Sequence, residues 1–106
     1  MFSKKMIIAV MFILLLVSGG VLAGGDAARG AELAVDCADC HGEDGRGDDD
    51  MSGLAGLDEA YHIAQLMAFK SGARVDEDEM MPDFVADLSE QDMADIAAYY
   101  ATLSAE

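Results

Sequence analysis

Tryptophan is absent from this 106-residue chain, proline occurs once, cysteine only twice, and six basic residues face 21 acidic ones. So few cations exclude the electrostatic footprint by which proteins hold nucleic acid or an anionic membrane surface. Two cysteines exclude a disulfide framework: Cys37 and Cys40 could form only one bridge, across a loop too short to constrain the chain much. Beyond residue 24 nothing alternates with a period of two and no segment repeats, which excludes sheet and repeat architectures.

What is present begins with one long apolar run. Lys4 and Lys5 precede a stretch from Met6 to Gly25 that carries no charge, and Val21 and Ala23 have the spacing of a cleavage site. Residues 1–23 therefore read as a secretory signal peptide, which makes the remainder periplasmic or secreted, with no membrane insertion after cleavage. The alternative is an uncleaved segment anchoring the chain to the inner membrane, since roughly twenty apolar residues can span a bilayer. No cysteine follows the run, which excludes a lipoprotein anchor. Residues 24–106 then form one domain, with all 21 acidic residues against Arg29, Arg46, Lys70 and Arg74, a formal −17. A chain of this length buries a marginal core unaided, so a bound cofactor is expected to supplement it.

Helical signals dominate that domain. Asp26 is placed to cap a first helix running toward the cysteines, where it is interrupted; Gly30, Leu33 and Cys37 share a face. Residues 43–52 carry glycines and aspartates without apolar periodicity and read as a solvated loop. A second helix starts near Asp58, with apolar residues at 63, 66, 67 and 69, Lys70 in its last turn and Gly72 as its stop. Residues 73–88 read as irregular and hold the only proline, Pro82. Ser89 caps the third helix, with Met93, Ile96, Ala97, Tyr100 and Leu103 at helical spacing. The expected fold is all-α, three principal helices with loops long enough to wrap a large flat ligand.

The chemistry is concentrated in Cys37-Ala38-Asp39-Cys40-His41. A redox dithiol of this spacing belongs after a strand, which the sequence lacks. A structural zinc site needs a fourth donor, and the only other histidine, His62, lies inside a predicted helix. Covalent haem attachment has a direct rationale: thiols three residues apart on a helical turn reach the two vinyl-derived carbons on one side of a porphyrin. Cys37 and Cys40 then form the thioethers, and His41 turns its imidazole to the iron as proximal ligand. Such attachment occurs outside the bacterial inner membrane, in agreement with the leader.

With "CADCHG" at 37–42, "LAGLDEAYHIAQLMAFKSGAR" at 54–74 and "MMPDFVADLSEQDMADIAAYY" at 80–100, the chain resembles a class I c-type cytochrome over residues 24–106. The segment ending in "FKSGAR" is most similar to domains of dihaem cytochromes of the c-four type and to haem subunits of flavocytochrome sulfide dehydrogenases. The resemblance implies one covalent haem c, with a methionine from the loop before the last helix as distal iron ligand. Its Met-Pro-x-Phe pattern puts that role on Met81, with Met80 as the competitor and His62 as a bis-histidine alternative. Met67 and Met93 read as core gap-fillers instead. Gly30 matches the small residue at which the first helix crosses the last, against Tyr99 or Tyr100. Ser52 stands where relatives carry a proline, which leaves the rigidity around His41 in question.

With both axial positions filled the iron has no open site, so the expected function is single-electron transfer with redox partner proteins and no catalysis by the chain itself. Two other functions fit the same residues: the haem subunit of a flavoprotein sulfide dehydrogenase or other redox complex, and a gas-binding haem sensor if Met81 is readily displaced. The acidic surface has two readings, adaptation to high salt and docking of a partner with a basic face.

Overall fold

In a computed structural model, residues 24–76 and 79–106 are described; the leader read at residues 1–23 lies outside them. Five helices follow in order: α1 (Ala27–Leu33), α2 (Val35–His41), α3 (Glu59–Ser71), α4 (Met81–Val85) and α5 (Glu90–Ala101). No strand occurs among the described residues. None of the described helices is long and apolar enough to cross a membrane.

Local signals set most of the boundaries. The Asp26 carboxylate accepts the Arg29 N–H at 3.1 Å and starts α1; the Asp58 carboxylate accepts the Tyr61 N–H at 3.0 Å and starts α3. Ser89 and Asp92 form a reciprocal capping box at α5, with bonds of 3.0 and 2.9 Å. Two boundaries differ from expectation. The first helix breaks at Ala34, three residues before Cys37, and resumes as α2 through both cysteines and His41. Residues 81–85, expected to be irregular, form a one-turn helix, because proline lacks the N–H that a first helical turn leaves unpaired anyway.

Helix α5 is the central element. It crosses α1 on one side and α3 on another, while α4 leans on α3. Met93, Ile96 and Tyr100 from α5 join Leu66 and Phe69 from α3, Ala34 and Val85 in one buried cluster. Met93 is 1% exposed, as expected of a gap-filler, but Met67 is 42% exposed and is not in the core. The inner face of α3 runs through His62, Leu66 and Phe69, so the spacing 62–66–69 governs and Met67 turns to solvent.

The crossing of α1 and α5 depends on Gly30. A Cβ placed there would lie 1.9 Å from the Asp95 carbonyl oxygen and 2.9 Å from the Tyr99 Cβ. Tyr99, and not Tyr100, therefore faces the glycine. A second tie spans the same crossing. The Asp95 carboxylate, 1% exposed, accepts the Asp26 N–H at 2.7 Å, the Arg29 Nη1 at 2.6 Å and the Gln91 Nε2 at 2.8 Å. Those donors, led by the Asp26 amide, hold its pKa below the usual carboxylate value. Gly30→Ala is expected to destabilise the protein by about 2–3 kcal/mol in denaturant titrations, despite the ~1 kcal/mol that alanine gains in helix propensity. The obstacle is backbone and cannot rotate aside; an unchanged midpoint would show that the helices can separate freely.

Candidate functional site

Helices α2, α3, α4 and the loop 43–57 surround a cavity of about 490 Å³. Cys37, Cys40 and His41 line it together with Met80 and Met81, and Leu54, Leu66, Val85 and Ile96 give it an apolar lining. The structure thus brings together all three residues of the cysteine motif and both candidate methionines, which lie some forty positions apart in sequence.

On α2 the two cysteines are one turn apart and His41 follows directly, so one helical face presents all three. Gly42 ends the helix at φ 91°, a conformation that a side chain would strain, and turns the chain away from the cavity. The His41 Nδ1 lies 2.7 Å from the Ser52 carbonyl oxygen. A carbonyl can only accept, so Nδ1 carries the proton and the Nε2 lone pair is left for a metal. The orienting group is a backbone carbonyl, which serine supplies as well as proline would. The loop that carries it is pinned as well: Gly47 N–H donates to the His41 carbonyl at 2.8 Å, and the Asp48 carboxylate accepts from Asp50 and Met51 N–H, each at 2.8 Å. Residues 43–52 are mostly exposed, as expected, except that Gly45 is buried against Tyr100, and the loop is hydrogen-bonded at defined points.

The thiols do not have the character of a redox pair. Both cysteines are free and partly buried. Burial, and secondarily the neighbouring Asp36, push the Cys37 thiol above its ordinary pKa, whereas a dithiol catalyst needs a stabilised thiolate. Among the described residues no group of three or more metal-binding side chains is placed to hold an ion. What fits the donor set is a large apolar disc that bonds to two neutral thiols and offers iron to Nε2.

The methionines differ in environment. Met81 is half-buried and packs on the core cluster, while Met80 is 44% exposed. His62, weighed above as an alternative ligand, is 2% exposed on the cavity wall, with its ring 5.6 Å from that of Tyr100. Its Nδ1 has no hydrogen-bond partner, and burial, with a lesser contribution from His41, lowers its pKa to about 4. Sequence reasoning undervalued this residue; its spacing of four from Leu66 and seven from Phe69 was the available signal. Asp76 was missed as well. Its carboxylate accepts the N–H of Met80 at 3.2 Å and of Met81 at 3.4 Å.

A family model described as cytochrome c matches residues 27–104. Over 100 residues the chain is 38% identical to cytochrome c4 of Pseudomonas aeruginosa, covering 93% of this chain and 48% of that protein. Against cytochrome c-554(547) of Halothiobacillus neapolitanus it is 40% identical over 89 residues, covering 74% of this chain and 98% of the relative. The solved cytochrome c4 of Acidithiobacillus ferrooxidans superposes with a TM-score of 0.70 at 30% identity, over 76% of this chain and 51% of that one. The chain thus spans about half the length of the cytochrome c4 relatives and nearly all of the c-554 protein.

Proposed function

This chain belongs to the cytochrome c family, which brings with it a covalently bound haem c, and from that premise we propose that it is a periplasmic single-electron carrier with His/Met ligation of the iron. The observation that carries the reading is the convergence, on one apolar cavity, of Cys37, Cys40 and an oriented His41 with Met81. When bound, haem supplies a one-electron iron couple. Cys37 and Cys40 would hold the ring by thioethers, and His41, whose Nδ1–H donates a hydrogen bond to the Ser52 carbonyl, would present Nε2 to the iron. Met81 would supply the second axial ligand, and a thioether in that role raises the potential relative to a second histidine. Apolar walls from Leu54, Leu66, Val85 and Ile96 exclude water, and a site with no open position and little to reorganise suits electron transfer better than bond making. Redox proteins are its partners.

The periplasmic location rests on the attachment chemistry and on the leader read in residues 1–23. Intact mass of the protein isolated from its host is expected to show loss of those residues and gain of one haem that survives acid extraction. A haem that extracts freely would end the reading.

A further inference from the structure

Met80 and Met81 both reach the cavity, so something must decide which sulfur meets the iron. One side chain meets the amides of both. The Asp76 backbone carbonyl accepts the Glu79 N–H at 3.1 Å, and its carboxylate Oδ2 accepts the next two amides, those of Met80 and Met81. Glu79 stands at φ 54°, the one positive value at a non-glycine residue among those described. Such a conformation persists only where its surroundings over-determine it. Beyond the turn, the Met80 carbonyl accepts from Asp83 and Phe84, at 3.1 and 3.2 Å, and starts α4. Met81 thereby becomes the first residue of a helix whose axis and register are fixed from both sides. Asp76 itself lies on the cavity wall, partly buried, where water competes less for those amides.

We propose that Asp76 is the positioning residue for the distal ligand: its carboxylate clamps the amides of Met80 and Met81 and so sets Met81, and not Met80, against the iron. The inference rests on Met81 ligation as proposed above. Glu79 and Met80 are exposed, so without the clamp only the packing of the Met81 side chain and the first bonds of α4 hold the two methionines, and an outside ligand should displace the methionine more easily. The side chain acts through the backbone and touches neither iron nor sulfur.

The test uses the haem-loaded full chain and imidazole as the competing ligand. Asp76→Ala is expected to raise imidazole affinity of the oxidised protein at least about tenfold, the equivalent of one net hydrogen bond to a charged acceptor. Asp76→Asn keeps an acceptor oxygen and is expected to restore most of the difference. Equal affinity in the wild type and Asp76→Ala would overturn the proposal, as would an asparagine variant no better than alanine, which would assign the effect to charge alone. Amide hydrogen exchange in the wild type needs no variant to fold: Met80 and Met81 N–H should both be protected, and free exchange at either also overturns it. Failure of Met81 ligation is separately visible whatever Asp76 does, because Met81→Ala would then keep its sulfur-to-iron band if Met80 were the ligand, and the wild type would lack the band if His62 were.

Discussion

Replacing Met81 by alanine is expected to abolish the long-wavelength sulfur-to-iron charge-transfer band of the oxidised protein, to lower its reduction potential steeply and to open the iron to carbon monoxide. Met80→Ala is expected to leave all three near wild type. The reason is geometric. Met81 is partly buried against the core cluster and lines the cavity, so its side chain is held there. Met80 is 44% exposed and precedes the first helical residue, with its carbonyl committed to α4. Loss of a thioether removes the ligand that favours reduced iron and leaves a vacant position. Visible spectra and redox titrations of the two variants decide the matter. A band lost in Met80→Ala and kept in Met81→Ala would mean that the loop is out of register by one residue.

The second large effect concerns acid. His62 is buried and neutral, with a pKa lowered to about 4 from an ordinary 6.5. As pH falls through 6.5 the unfolded chain takes up a proton at this position, but the native protein does not until about 4, so the unfolded state gains across that window. The contribution of His62 is therefore complete above pH 6.5 and is lost as pH falls toward 4. The difference corresponds to about 3 kcal/mol at ~1.4 kcal/mol per pKa unit. His62→Leu is of similar size and carries no titrating group, so it should abolish this part of the pH dependence. It should also remove the cost of the unpartnered Nδ1, of order 1–3 kcal/mol. Denaturant titrations of both proteins from pH 4 to 7.5 check the expectation. Parallel curves would show that His62 finds a hydrogen-bond partner or a charge in the loaded protein and keeps its ordinary pKa.

Much of the fold was legible because its signals are local. Asp26, Asp58 and Ser89 cap helices through side chains within three residues of the amides they satisfy, and those residues read the same in sequence and in structure. The attachment motif was legible for a similar reason, since its three residues span a little over one helical turn and need no distant partner to acquire their geometry. The break at Ala34 was not, because the residues around it are helix formers on either side and only the change of direction between α1 and α2 marks it. The one-turn helix at Met81 escaped as well: a span of five residues has no apolar period of its own and depends on Asp76 and on packing against α3.

Composition, the cysteine motif and the helical periodicities by themselves determined an all-α domain built to hold a covalent haem, because each of those signals is written in residues close together along the chain. The tertiary structure decided what depends on atoms far apart: that the Ser52 carbonyl meets His41 Nδ1, that Tyr99 and Asp95 crowd Gly30, that Met67 faces solvent while His62 is buried, and that the Asp76 carboxylate accepts the amides of both methionines. Burial and hydrogen-bond partnership belong to pairs of surfaces. Which face of α3 meets α5, and which carbonyl a loop brings to a histidine, follow from how the helices pack together, and no single stretch of sequence carries that information.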